Sequence, residues 1–217
     1  MKVTINIPES LSEITLAQYQ KWLKISDKNE DDNFLKQKMI EIFCNIPLKQ
    51  VLNIKANDID TIVEDINKLF LLEPKFKDRF QYNGVEFGFI PKLDDMSFGE
   101  YIDLDTYLPE WQTMHKAINV LYRPIKYSRK EKYLIEDYES ADKYDMKQVT
   151  LDVVFSALVF FWNLKKELLN CILSYLQNQT PDKLQQQKLD LMKSGLGISQ
   201  SMDWRKVMSG GLMKLHN

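Results

Sequence analysis

The dipeptide Asn83-Gly84 constrains the fold of this chain more than any other feature of its sequence. It separates two runs in which apolar and polar residues alternate, and a type I′ turn needs positive φ at both central positions, which Asn and Gly tolerate. The cross-strand pairs that such a turn sets are Tyr82 with Val85, Gln81 with Glu86, and Phe80 with Phe87. The sequence therefore predicts an antiparallel hairpin whose aromatic face is covered by another layer.

A third strand is expected, because two strands alone are marginally stable in water. The segment Met1 to Ile7 is the predicted third strand, since Val3, Ile5 and Ile7 alternate with polar residues. Pro8 ends the run, because proline cannot donate to a strand ladder. The pairing of this strand with the hairpin would be non-local, since the predicted helices of the first half lie between them.

Periodicity typical of helices covers most of the remaining chain. Thr15-Leu16-Ala17-Gln18 and Ser97-Phe98-Gly99-Glu100 have the form of a capping box, which satisfies free backbone N–H groups at a helix start. Apolar residues at three-to-four spacing predict helices over about 15–25, 34–45, 47–52, 57–70, 109–123, 150–177 and 181–195. We therefore predict an α+β, predominantly α-helical fold: a helical bundle with a small antiparallel sheet made of the N-terminal strand and the hairpin.

Composition divides the chain into three predicted regions. An α+β domain with the central hairpin is expected over 1–125, and a helical arm ending in an apolar tail over 148–217. Between them, 126–147 is a charged, tyrosine-rich connector, which we interpret as a solvated helix or a mobile loop that orders against a partner. The helix from Thr150 is apolar on most sides in its first half, so that half is expected in the core.

The last part of the sequence contains more large apolar side chains than a solvated segment normally exposes. These are Trp204, Val207, Met208, Leu212, Met213 and Leu215. Glycines at 195, 197, 210 and 211 give this tail mobile joints. We expect the tail to dock on a partner chain or a second copy rather than on its own body.

Charge and hydropathy exclude several classes of partner. The chain has 29 basic and 31 acidic residues, so it lacks the positive footprint of a nucleic-acid binder. Tyr82, Phe87 and Phe89 resemble an RNA-stacking platform, but the near-neutral charge favours a core role for them. No signal peptide is expected, and the apolar run from Val153 to Trp162 is shorter than the roughly 20 residues of a membrane span. Protein partners are therefore predicted.

The two cysteines favour a reducing compartment. Cys44 and Cys171 both lie within apolar helical patterns, where a thiol behaves as a small buried hydrophobe, and we expect them to be reduced.

The chemistry-bearing residues do not assemble into a recognisable constellation. His115 and His216 have no Cys, His or carboxylate at metal-ligand spacing, and Gly195-Leu196-Gly197 lacks the lysine of a P-loop. An acidic cluster lacks the spacing and central glycine of a calcium loop and instead suits helix N-termini. Its members are Asp94, Asp95, Glu100, Asp103 and Asp105. No catalytic, cofactor-binding or metal-binding residue is predicted, and the chain is not expected to be an enzyme.

Two segments carry a family resemblance. One is Gly84 to Asp105, which reads GVEFGFIPKLDDMSFGEYIDLD, and the other is His115 to Ile125, which reads HKAINVLYRPI. They resemble segments of virion and tail-assembly proteins of tailed bacteriophages, including crAss-like phages. The resemblance implies a viral structural or assembly role without catalysis, in the virion or the host cytoplasm.

Two hypotheses follow from the sequence. The first is a phage virion component or tail-assembly chaperone that binds other phage structural proteins, or copies of itself, through helical surfaces and the 126–147 segment. The alternative is an intracellular binding module or enzyme subunit whose site combines the acidic cluster at 94–105 with His115.

Overall fold

A computed structural model describes residues 5–72, 74–161 and 163 of the chain, and these confirm a mostly helical α+β fold. The helices are α1 (Leu16–Ser26), α2 (Asp32–Phe43), α3 (Leu48–Val51), α4 (Ala56–Leu71), α5 (Phe98–Tyr107), α6 (Met114–Leu121) and α7 (151–161). The strands are β1 (Arg79–Tyr82), β2 (Val85–Phe89), β3 (Tyr122–Arg129) and β4 (Lys132–Ile135). The strands form one antiparallel sheet in the order β1-β2-β3-β4.

Both predicted capping boxes are present. At the start of α1, Thr15 Oγ1 accepts from the backbone N–H of Gln18 at 3.2 Å, and Gln18 Oε1 accepts from the backbone N–H of Thr15 at 2.8 Å. The Ser97 and Glu100 side chains make the same reciprocal contacts at the start of α5. Each box satisfies two backbone donors that the first helical turn leaves free.

The helical core forms around Tyr19 of α1. Its ring centroid lies 5.6 Å from that of Phe70 on α4, 4.8 Å from that of Trp111 and 5.6 Å from that of Phe155 on α7. Tyr19 and Phe155 are fully buried, and burial raises the pKa of the Tyr19 hydroxyl. These contacts confirm that the apolar first half of the helix starting near Thr150 belongs to the core.

The predicted hairpin is confirmed in turn type and register. Asn83 and Gly84 have φ values of 50° and 78°, and the three predicted residue pairs are those observed. Aromatic contacts cover one face of the sheet, because Phe89 lies 5.1 Å from Tyr122 and 5.0 Å from Phe160 between ring centroids. The layer that covers this face therefore includes α7.

The prediction of an N-terminal third strand is wrong for the part that the structure describes. Ile5 and Ile7 lie outside any strand and pack part-buried against the core, while residues 1–4 lie outside the described chain. Their alternation thus reflects one-sided burial of an extended segment. The third strand is β3, which pairs Pro124 with Phe87. The sheet is consequently a local meander rather than a non-local pairing.

The interpretation of 126–147 as a solvated helix or mobile loop is also wrong in large part. Residues of β3 and β4 pair across a turn in which Lys130 has a φ of 56°. The loop that follows packs on α6, where Asn119 Nδ2 donates to the carbonyls of Ala141 at 2.9 Å and Tyr144 at 3.1 Å. Charged residues dominate this segment because its strands are exposed on their outer side, which obscures the strand pattern in the sequence.

Several predictions concern residues outside the described chain. These are the second half of the long helix, the helix over 181–195, the apolar tail, Cys171 and His216. The three-region division of the chain stays a prediction. Among the described residues, no helix has both the length and the apolar character that a membrane crossing requires.

Replacing Gly84 with Val is expected to destabilise the fold by on the order of 1 kcal/mol or more, because a β-branched residue resists positive φ. A Cβ at Gly84 meets no atom within 4 Å, so the cost is conformational and not steric. Gly99→Ala is the control, since Gly99 also has open space but no positive φ. Equal thermal unfolding midpoints for Gly84→Val and the wild type would contradict the turn assignment.

Candidate functional site

A groove of about 1300 Å³ lies beside the sheet. It lies between the ends of β2 and β3, the strand β4, the segment that leads into α5, and Phe160 of α7. Apolar side chains that line it include Phe76, Phe89, Leu93, Met96, Leu134 and Ile135. Small-molecule sites typically measure roughly 300–1,000 Å³, so this groove suits a larger occupant such as a peptide segment.

Tyr133 fixes the position of β4 against the centre of the sheet. Its hydroxyl oxygen lies 2.8 Å from the carbonyl of Phe89 and 3.2 Å from that of Asp78, so its one proton is shared between them, and the Arg79 guanidinium lies 4.5 Å from its ring centroid. The ring lies over Gly88, where a Cβ would be 2.4 Å from Tyr133 Cε2. Burial raises the pKa of Tyr133 to about 12, so its hydroxyl stays a donor at neutral pH. Glycine at 88 is therefore required for this close approach.

A buried ion pair joins the sheet to α5 at the groove. Arg123 Nη1 of β3 lies 2.7 Å from Glu100 Oε1, with side-chain exposures of 10% and 6%. The other oxygen of Glu100 accepts from the backbone N–H of Ser97 at 2.6 Å. The Arg123 guanidinium also lies 5.8 Å from the Tyr138 ring centroid, and Tyr138 donates to Asp103. The ion pair thus holds α5 to β3, and Tyr138 links both of them to the segment after β4.

Exposed apolar side chains lie at the border of the groove and on one face of α5. Leu134 and Tyr127, which line it, are 65% and 58% exposed. Helix α5 presents Phe98, Tyr101 and Ile102 at 78%, 51% and 46% exposure, a spacing that places all three on one helical face. Contiguous exposed apolar surface on a soluble protein typically marks an interaction site.

The charged residues of the groove are predominantly acidic. Six carboxylates line it: Asp78, Asp95, Glu100, Glu131, Glu136 and Asp137. Four basic side chains accompany them: Lys92, Arg123, Arg129 and Lys132. Five of the six carboxylates are ion-paired, with Arg79, Lys92, Arg123, Lys126 and Lys143, so the groove carries little net charge.

The acidic cluster expected from the sequence is dispersed in the structure. Glu100 is engaged by Arg123 and Ser97, Asp103 accepts from Tyr138, and Asp95 lies 3.9 Å from Lys92. Asp105 is exposed, and the side chain of Asp94 lies outside the described atoms. Within the described chain, no three Cys, His, Asp or Glu side chains are grouped so that they could hold a metal ion.

His115 joins two helices rather than the acidic cluster. Its Nδ1 lies 3.4 Å from Gln20 Nε2 of α1, and that amide also donates to the Trp111 carbonyl at 2.6 Å. Burial lowers the pKa of His115, and the nearby charges of Lys147 and Lys116 lower it further. The contacts of His115 thus stabilise the packing of α1 against α6.

Cys44 lines a second, smaller pocket of about 460 Å³ between α1 and the end of α2. Burial raises the pKa of the Cys44 thiol to about 11. It is therefore a neutral thiol at pH 7, in agreement with the expectation that it packs as a small apolar group.

Sequence reasoning missed the groove because most of its outer wall comes from 126–147. The relevant signal was present: Tyr133 and Ile135 alternate with Lys132 and Leu134 after a charged turn.

Comparisons of this chain with known protein families, curated proteins and solved structures gave no match.

The lowered pKa of His115 predicts a dependence of stability on pH. The unfolded chain takes up the imidazole proton near the ordinary pKa of 6.5, whereas the native state takes it up only at lower pH. Stability from the neutral ring is thus complete above that pKa and lost as the pH falls through the native value. We expect the unfolding free energy of the wild type, relative to His115→Gln, to decrease from about pH 7.5 to about pH 5.5. A constant difference across that range would contradict this.

Proposed function

We propose that this chain is a non-catalytic protein-binding component of a bacteriophage virion or of its assembly, and that the groove is its binding surface. The observation that carries the proposal is the apolar groove between β4 and α5, bordered by exposed Leu134 and Tyr127. It acts in the virion or in the host cytoplasm, through contacts with other phage structural proteins.

The exposed side chains supply a driving force for association. Fully burying a Leu or Phe side chain gains roughly 1.5–3 kcal/mol, and Leu134 and Phe98 each keep more than half of their surface in solvent. Tyrosines such as Tyr127 are typical anchors of protein interfaces, because they combine a large apolar ring with a polar tip. Association at the groove would also remove the exposed side chain of Leu134 on β4 from water.

The polar groups of the groove favour recognition of a surface over chemistry on a substrate. Both oxygens of Glu100 are engaged, and Nη1 of Arg123 contacts that carboxylate. The Tyr133 and Tyr138 hydroxyls donate to a backbone carbonyl and to Asp103. These groups hold the walls in place and leave the apolar side chains to contact a partner.

The segments that resemble phage proteins supply one side of the groove, whereas residues of 126–147 supply the other. Gly84 to Asp105 contains β2, the segment leading into α5 and Glu100, while His115 to Ile125 contains α6 and Arg123. Both members of the buried ion pair therefore fall within the resemblance. This correspondence supports a phage structural or assembly role for the groove.

The alternative, an enzyme subunit or binding module with a site at 94–105 and His115, gains no support from the described contacts. Glu100 and Asp103 belong to the α5 network, whereas His115 contacts Gln20. His115→Ala is accordingly expected to retain partner binding.

Leu134→Asp is expected to weaken capture of the phage partner at least tenfold, because it places a charge on the apolar border of the groove. Leu52→Asp is the matched control, since Leu52 is 63% exposed, close to the 65% of Leu134, and does not line the groove. The measurement is immunoprecipitation of each full-length variant from infected cells, with mass spectrometry of the captured proteins and of purified particles. Equal capture by both variants, or absence of the chain from particles and from every complex with phage proteins, would refute the proposal.

A further inference from the structure

We propose that β4 pairs antiparallel with β4 of a second copy of this chain, around a twofold axis at Leu134, so that the two sheets join into one. The inference rests on the proposed function in taking the groove as a binding surface, and it names one partner for the β4 side of that groove. It follows from the free edge of β4, from the side chains exposed there, and from the match of this strand with itself when it is reversed.

Strand β4 is an edge of the sheet, with β3 as its one neighbour. Backbone groups of successive residues in an antiparallel strand point alternately toward and away from the neighbouring strand. Because Glu136 donates its backbone N–H to the carbonyl of Pro124 in β3 at 2.9 Å, the N–H and C=O groups of Tyr133 and Ile135 point away from β3. No described backbone group outside the sheet bonds to them. These are the groups with which an added strand pairs.

The groove leaves this edge accessible among the described residues. Every residue of β4 lines it, and the lining continues from Glu131 to Tyr138, so open volume borders the whole strand. Strand β4 also carries the exposed Leu134, which pairs with the exposed Tyr127 of β3. The opposite edge strand, β1, has Gln81 as its one exposed residue and so offers no apolar side chain to a partner.

The strand matches itself in one register. With the axis at Leu134, Leu134 lies opposite Leu134 of the second copy, Tyr133 opposite Ile135, and Lys132 opposite Glu136. Tyr133 and Ile135 then exchange both backbone hydrogen bonds with each other across the axis, because their free groups point outward. Leu134 and Tyr127 of both copies form one apolar row across the joined sheet.

The neighbouring registers are less favourable. They move the axis to another residue whose backbone groups point outward, since outward groups must meet outward groups. An axis at Tyr133 sets Leu134 opposite Lys132, and an axis at Ile135 sets Leu134 opposite Glu136. In both cases the exposed apolar side chain faces a charged one, whereas the axis at Leu134 pairs like with like.

Charge supports the same register. Lys132 is exposed and makes no ion pair with any described residue, and in this register a carboxylate lies opposite it. Glu136 already lies 2.9 Å from Lys143, so its charge is partly compensated within its own copy. The backbone groups and Leu134 therefore drive the contact, and the charges help to select the register.

The contact is isologous, because both copies supply the same strand. An isologous contact closes at the dimer and does not continue into a filament. The joined sheet has eight strands, four from each copy, which lies within the usual range of about 2–10 strands. Sedimentation analysis should therefore show a monomer and a dimer, without larger species.

Cysteine cross-linking tests the register. Opposite residues of a non-hydrogen-bonded antiparallel pair have Cα atoms about 4.5 Å apart, within reach of a disulfide, so Leu134→Cys is expected to form a covalent dimer under mild oxidation. Lys132→Cys is the matched control, because its two copies lie four residues apart along the paired strands, about 13 Å, and should give at least tenfold less covalent dimer. Wild type and Leu52→Cys measure the background from the native cysteines.

Charge reversal gives a second readout in the full-length protein without cysteine substitutions. Wild type and Lys49→Glu are expected to dimerise with rising concentration, and Lys132→Glu to dimerise at least tenfold more weakly, because it faces Glu136 of the second copy. Lys49 is the control, since it is also exposed and does not line the groove. Added salt should reduce the difference between the two variants.

Three results would overturn the inference: monomeric wild type at all concentrations, equal cross-linking of Leu134→Cys and Lys132→Cys, or equal dimerisation of Lys132→Glu and Lys49→Glu. If any of them occurs while Leu134→Asp still loses the phage partner, the proposed function stands and this inference alone fails. A dimer cross-linked at position 134, together with equal capture of phage proteins by Leu134→Asp and Leu52→Asp, would instead support the strand pairing and refute the proposed function.

Discussion

The ion pair between Arg123 and Glu100 is the interaction on which the arrangement of sheet and helices depends most. It is nearly buried, it connects the third strand with the first turn of α5, and Glu100 also caps that helix. A buried ion pair contributes little net stability compared with an apolar substitute, but loss of one partner leaves a buried charge at a cost of roughly 3–5 kcal/mol. The pair therefore fixes where α5 lies more than it strengthens the fold.

The groove is a consequence of that placement. One wall follows from the position of α5, and the other from β4, which Tyr133 holds over Gly88 through its hydrogen bonds to Phe89 and Asp78. Two separate polar anchors thus keep apart elements whose apolar side chains would otherwise collapse onto each other. Exposed side chains such as Leu134 remain available to a partner because the anchors restrain the walls. The restraint of the two walls therefore connects the fold with the proposed binding function of the groove.

Local signals in the sequence were sufficient for the hairpin and the helix starts. The Asn83-Gly84 turn and the capping boxes depend on residues within a few positions of one another. The turn and the helix starts can therefore be predicted without knowledge of the tertiary structure. The third strand and the groove depend on contacts distant in sequence. In the sequence, nothing distinguishes Glu100 from the neighbouring acidic residues, because its partner Arg123 is brought beside it only by the fold. The charged β3–β4 hairpin lacks a clear apolar alternation because much of it faces solvent.

A double-mutant cycle on Glu100→Gln and Arg123→Met tests the central claim most directly, with the free energy of unfolding as the measurement. Gln retains the capping contact while removing the charge, and Met replaces the guanidinium with an apolar chain. Each single substitution is expected to cost on the order of 3 kcal/mol, and the double variant at least about 1 kcal/mol less than the sum, because no unpaired charge remains. Additive effects within about 0.5 kcal/mol would show that the two side chains act independently, and would contradict the account.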